Sequence, residues 1–227
     1  MFIEKRHFKN SKGLNLSAIF EGENRDAPVV VMCHGFESSK DAFSTRSLAQ
    51  KIVKRGLSVF RFDFTGCGQS EGSIDALTPF QGFDDLKSAV KNLKSDKFAL
   101  YGSSFGGYVA LLYASKNPVL MLALKAPVSD YLWVIENTEP SARRKFWAKE
   151  LKNIDIFKEA RKIKAPVMIV HGDNDHIVPI DQSRRLLRSL GGQKDLIIIE
   201  GAGHVMADED LEKANTEIAD FFQKTLL

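Results

Sequence analysis

Cysteine is scarce in this chain. There are only two, Cys33 and Cys67, and neither has a second Cys or a His at ligand spacing, which excludes a zinc module or a disulfide-built scaffold. Long apolar runs are missing as well: none approaches the ~20 apolar residues of a membrane span. The first residues, M-F-I-E-K-R-H-F-K-N, are charged throughout and lack the apolar centre of a secretory signal. One-sided charge is also absent. Lys and Arg number 32 against 29 Asp and Glu, a net charge of +3, whereas nucleic-acid binding needs basic residues gathered on one face. The short clusters Arg143-Arg144-Lys145 and Arg184-Arg185 read as solvated helix faces. These absences predict a cytoplasmic protein with no nucleic-acid or membrane partner. Cys33 and Cys67 follow runs that read as neighbouring strands, but without a secretory signal reduced thiols are the expectation.

What is present is a regular alternation. Short apolar runs at Val29–Met32, Ser58–Phe62, Phe98–Tyr101, Leu120–Leu124, Val167–Val170 and Leu196–Ile199 read as buried parallel strands. Helical spacing fills the gaps at Phe43–Arg55, Phe80–Leu93, Phe105–Lys116, Asp181–Leu190 and Asp210–Lys224. The repeated strand–helix order predicts an α/β fold, a mostly parallel sheet with helices on both faces. Ile3–Phe8 and Leu14–Phe20 flank Asn10-Ser11-Lys12-Gly13, turn chemistry for an antiparallel hairpin. With 227 residues and 44% hydrophobic content, one domain over 1–227 closes a sizeable core. Residues 128–164 interrupt the rhythm with helical stretches and no strand, and read as a helical cap insertion.

In sheets of this kind ligands bind beyond the carboxyl ends of the strands. His34-Gly35, Asp63, Ser103-Ser104, the group His171, Asp173 and Asp175, and His204 all follow predicted strands directly. Gly102-Ser103-Ser104-Phe105-Gly106 matches G-x-S-x-G, with Ser104 in the centre. A sharp strand-to-helix turn lifts that hydroxyl out of the backbone, and small residues two before and two after allow strand and helix to approach. The competing reading is a Gly-Ser loop with Ser104 as a helix cap.

A serine nucleophile needs a base, and the base needs an orienting carboxylate, in the chain order Ser, acid, His. After Ser104 the histidines are His171, His176 and His204. His171 ends a strand, and His176 leaves no room before it for both a strand and an acid. His204, in E-G-A-G-H before the last helix, is the best base. The loop H-G-D-N-D-H-I-V-P offers two acids, Asp173 and Asp175. For an oxyanion, Phe105 supplies a backbone N–H from a helix start, and Phe36 in H-G-F-E-S-S-K is the candidate second donor. Asp63, opening D-F-T-G-C-G-Q-S, reads as a structural acid that accepts backbone N–H groups.

Taken in order, H-G-F, D-F-T-G-C-G-Q-S, G-S-S-F-G-G, G-D-N-D-H-I-V-P and G-A-G-H resemble the α/β-hydrolase family, in particular its small serine esterases and acyl-hydrolases with a short helical cap, such as cinnamoyl and feruloyl esterases and monoacylglycerol-lipase-like enzymes. The resemblance implies an eight-stranded sheet with its second strand antiparallel. It implies Asp175, preceding the V-P pair, as the triad acid, and Phe36, following H-G, as an oxyanion donor. Ser103 departs from the family, where many relatives carry His, but no triad member is lost. The expected activity is hydrolysis of short-to-medium acyl or aryl esters through an acyl-serine, with no metal and no organic cofactor. A peptidase or thioesterase on the same triad, or a non-catalytic binding protein on this fold, are the alternatives. Tyr131, Leu132, Trp133, Phe146 and Trp147 in the insertion are expected to line the substrate pocket. The expected partner is a small-molecule ester, and a homodimer is left open.

Overall fold

The computed structural model describes residues 1–93, 97–137, 147 and 149–227. Eight strands form one sheet: β1 (Phe2–Lys9), β2 (Asn15–Gly22), β3 (Val29–Cys33), β4 (Ser58–Phe62), β5 (Phe98–Ser103), β6 (Leu122–Lys125), β7 (Val167–Gly172) and β8 (Lys194–Ile199). Their spatial order is β1-β2-β4-β3-β5-β6-β7-β8. β2 pairs antiparallel with both β1 and β4, and every later pairing is parallel. The hairpin turn forms because Asn10 Oδ1 accepts the N–H groups of Lys12 and Leu14, each at 3.0 Å, while Gly13 takes a φ of 80°.

The helices are α1 (Phe43–Val53), α2 (Pro79–Leu93), α3 (Phe105–Ala114), α4 (Tyr131–Asn137), α5 (Ile156–Ala160), α6 (Ile180–Ser189) and α7 (Asp208–Leu226). They cover two faces. α1 and α7 bury Leu48, Ile52, Leu211, Ile218 and Phe222 against Val30, Met32, Tyr101 and Ala123. α2, α3 and α6 pack Leu86, Leu111 and Leu186 against the opposite face with Val31, Leu100 and Leu124. β3 and β5 lie mid-sheet under both layers, so their apolar runs are continuous rather than alternating. Every residue of α3 is buried. A helix enclosed on all sides sits firmly, which matters because its first turn borders the site described next.

Strand and helix boundaries fall within about two residues of those read from the sequence. β5 runs two residues further, through Gly102 and Ser103, so the strand leads straight into the elbow. Cys33 and Cys67 are buried free thiols. Among the described residues no helix is long and apolar enough to cross a membrane, and no group of His, Cys, Asp and Glu has a metal-holding arrangement.

Candidate active site

Ser104 joins β5 to α3 with φ 52° and ψ −114°, a conformation that non-glycine residues rarely adopt and that clusters at functional sites. The turn is held on three sides. Ser104 N–H donates to Lys125 O at 3.0 Å, and Ser104 O accepts from Gly107 N–H at 3.0 Å and Val128 N–H at 3.2 Å. The glycines are there for clearance. A Cβ on Gly102 would collide with the Gly106 backbone, and one on Gly106 would collide with the carbonyls of Cys33 and His34.

Two loops from the far side of the sheet meet this serine. His204 Nε2 lies 3.0 Å from Ser104 Oγ, across 100 residues of chain. Its Nδ1 lies 2.7 Å from Asp175 Oδ2. The loops are tied together: Asn174 N–H donates to Ala202 O at 3.0 Å, and Gly201 N–H donates to Asp173 Oδ1 at 2.6 Å. Asp173 therefore fixes the turn before His204, and Asp175 faces the ring.

Asp175 is well supplied with donors. Its Oδ1 accepts from Ile177 N–H at 2.9 Å and Val178 N–H at 2.8 Å. His171 Nε2 lies 3.0 Å from Oδ2 and 2.9 Å from Val178 O; since both are acceptors, that nitrogen carries the hydrogen. Burial pushes the Asp175 carboxyl up, but the hydrogen bonds from His171, His204 and Val178 outweigh it and hold the group well below the usual carboxylate range. The sequence argues against His171 as the base. Here it is an enclosed second partner of the acid, with Nδ1 2.6 Å from Ser183 Oγ. A histidine ending an apolar strand four residues before the acid is the signal that marks it.

The loop after β3 borders the other side of Ser104. A Cβ on Gly35 would lie 3.6 Å from Ser104 Cβ, so the backbone leading into Phe36 passes close to the hydroxyl. His34 pins this loop: its Nδ1 is 2.7 Å from Gly35 O, and its Nε2 accepts from Phe64 N–H at 3.2 Å. Burial lowers the His34 pKa, only partly opposed by the Gly35 bond. Further along, Asp63 accepts from Lys40 N–H at 2.6 Å, Lys40 Nζ at 2.8 Å and Gln69 N–H at 2.9 Å. Arg61 braces the same segment through Lys40 O at 2.7 Å, Asp41 at 2.6 Å and Glu21 at 2.7 Å. Asp63 is thus the structural acid its loop suggested. Phe105, the first residue of α3, has an N–H with no acceptor inside its own helix.

A cleft of about 380 Å³ opens over Ser104 and His204. Phe36, Phe105, Tyr131 and Trp147 form an aromatic wall, with ring centroids 4.9 Å apart for Phe36 and Trp147 and 5.7 Å for Tyr131 and Trp147. Val134 and Ile135 extend it. Of the expected pocket residues, Tyr131 and Trp147 line the cleft, whereas Leu132 and Trp133 do not. The reason is helical spacing: Tyr131, Val134 and Ile135 share the inward face of α4, and the two residues between them turn away. Phe146 lies outside the described residues.

Similarity to known proteins follows the same outline. A family model described as alpha/beta hydrolase fold matches residues 28–139, and one described as serine aminopeptidase, S33, matches 142–210. The AB hydrolase superfamily protein YisY of Bacillus subtilis is 23% identical, covering 85% of this chain and 90% of its own. The mitochondrial palmitoyl-protein thioesterase ABHD10 of Bos taurus is 24% identical over 87% of this chain and 74% of its own. Among solved structures, Est1E from Butyrivibrio proteoclasticus with bound ferulic acid superposes with a TM-score of 0.88 at 19% identity, covering 97% of this chain and 98% of that one. A sheet with one reversed strand, a serine on a strained strand-to-helix bend, and these matches along most of the sequence lead to one placement: the chain has the α/β-hydrolase fold.

Proposed function

We propose that the protein is a serine hydrolase that cleaves carboxylic esters through an acyl-enzyme on Ser104. The observation that carries this reading is the Ser104–His204–Asp175 chain, with contacts of 3.0 and 2.7 Å, on a bend that presents the hydroxyl to an open cleft. In this reading Ser104 Oγ attacks the ester carbonyl while its proton passes to His204 Nε2. Asp175 remains ionised, holds the ring by Nδ1 and stabilises the imidazolium. The N–H groups of Phe36 and Phe105 stabilise the oxyanion, a contribution of about 2.7–4 kcal/mol per donor. His204 then returns the proton to the departing alkoxide. Water repeats the sequence in reverse, releasing the acid and restoring Ser104.

The wall of Phe36, Phe105, Tyr131, Val134, Ile135 and Trp147 favours an aryl or short-to-medium acyl group, with 128–164 acting as a short cap. Est1E, solved with ferulic acid, supports the aryl ester. ABHD10, named as a thioesterase, supports a thioester as the second substrate class to try. The test is hydrolysis of 4-nitrophenyl acetate and butyrate, with a panel of acyl chains, hydroxycinnamate esters, a thioester and a peptide amide. Ser104→Ala should abolish turnover with circular dichroism and melting unchanged. A folded Ser104→Ala protein that keeps most of the rate would overturn the assignment.

A further inference from the structure

Lys125 is a cation in an unusual place. It ends β6 in the otherwise apolar run L-A-L-K and sits in register beside Ser103, the residue before the elbow serine. Strand alternation puts Ser103, Lys125 and, two residues earlier, Tyr101 and Ala123 on the face covered by α1 and α7. Lys125 is only 5% exposed, yet it lines the cleft together with Thr45, Tyr101, Ser103 and Met206. Among the described residues it has no side-chain hydrogen bond or ion pair. Burial alone pushes its pKa down to about 8.

Lys40 provides the reference case. It is as deeply buried, at 1% exposure, and its ammonium is matched by Asp41, Asp63 and Gln69. Burying a charge without a partner is strongly unfavourable, so an unpaired lysine on a cleft wall is a place where a ligand can supply the missing charge. The cleft is divided accordingly. Its aromatic wall belongs to the face of α2 and α3, and Glu37, the acid that also lines it, lies close enough to Cys67 on that side to raise the thiol's pKa. Lys125 and the hydroxyls of Tyr101, Ser103 and Thr45 stand on the opposite side, with Ser104 between the two.

We propose that Lys125 binds a carboxylate of the substrate, so that this site takes esters or thioesters carrying a free carboxylate a short chain away from the scissile carbonyl. One ammonium with neighbouring hydroxyls matches a monoanion. The substrate half of this inference rests on the ester-hydrolase reading; the anion-binding half does not.

Two measurements separate them. In the first, kcat/KM is compared for monoethyl glutarate, monoethyl adipate and 3-acetoxybenzoate, each against its neutral carboxamide. The wild type should favour the acid at least tenfold for one or more pairs, and Lys125→Met should bring that ratio to one or below, chiefly through KM. A wild-type ratio of one or less for all three pairs overturns the proposal without any variant. In the second, the folded Ser104→Ala protein is titrated calorimetrically with monoethyl glutarate and its carboxamide. Tighter binding of the acid, lost in Ser104→Ala/Lys125→Met and retained in Ser104→Ala/Lys125→Arg, supports the anion site even if no ester is turned over, in which case it is the hydrolase reading that fails. Equal binding of acid and carboxamide by Ser104→Ala overturns the anion site even if neutral esters are hydrolysed.

Discussion

Asp63 and Asp175 close the same sheet edge with the same ingredients and to different ends. Each follows a strand, each is buried, and each accepts two backbone N–H groups: Lys40 and Gln69 for Asp63, Ile177 and Val178 for Asp175. The difference lies in the side chain each one faces. Asp63 meets the ammonium of Lys40, which is enclosed and shared with Asp41 and Gln69. Asp175 meets the ring of His204, whose side chain is 16% exposed and whose other nitrogen reaches Ser104 in the cleft. On the proposed reading, a buried carboxylate is a brace where its partner is sealed in and part of the reacting set where its partner opens on a cavity. Burial of the acid does not distinguish them.

The comparison breaks most easily at Asp175. Asp175→Asn should lower kcat/KM for 4-nitrophenyl butyrate by about 10³–10⁴, because an amide can stabilise neither the tautomer nor the imidazolium, while melting falls modestly. Asp63→Asn should do the reverse. It leaves the Lys40 ammonium with only the more exposed Asp41 as counter-charge, a loss of up to about 3 kcal/mol, read as a lower denaturation midpoint, with a smaller fall in activity per folded molecule as the segment before Lys40 loosens. If both variants lose activity and stability in the same proportion, the two centres are not distinct.

The same contrast explains what could be read in advance. Strand and helix positions were legible because buried parallel strands leave short continuous apolar runs and the helices between them keep a 3.6-residue period. Ser104 and His204 were legible because clearance at Gly102 and Gly106 and the order of loops along one edge restrict the choice, whereas the residues alone left Asp173 and Asp175 both open and the resemblance pointed to Asp175. The closed network was not. Lys40 stands among Ser38, Ser39 and Asp41, where a lysine ordinarily points to water, and only the fold reveals that Asp63 and Arg61 enclose its surroundings. Leu132 and Trp133 failed as pocket residues because composition names the wall without naming the helix face. Lys125 falls just past the apolar run read as Leu120–Leu124, and only the structure places it at the end of β6 on the cleft wall.

Acid titration sharpens the comparison further. The folded-state pKa of Asp175 lies below its unfolded value, since hydrogen bonds from His171, His204 and Val178 overcome the upward push of burial. Its contribution to stability is then fully present above the unfolded value of about 3.9, and is lost as pH falls through the lower folded value. The stability gap between wild type and Asp175→Asn should shrink as pH falls below about 4, measured by urea unfolding at each pH. A gap that still widens below about 4 would mean that the hydrogen bonds do not favour the ionised form.

The smallest expected signal is one of access, and it asks directly whether the Asp63 side is closed. Cys67 lies near Asp63; burial, then the charges of Asp63 and Asp85, push its thiol up to about 12. Cys33 is raised further by burial alone. A thiol reacts as its thiolate and only where a reagent reaches it. The native protein should therefore show almost no reaction with an aromatic disulfide at neutral pH, and the two cysteines should both titrate once guanidinium unfolds the chain. A fluorophosphonate, directed at activated serines, should label the same native sample at Ser104 within minutes. Rapid native labelling of Cys67 would mean that the loop around Asp63 opens to solvent about as readily as the cleft does, and the division between sealed and open carboxylates would then be one of degree.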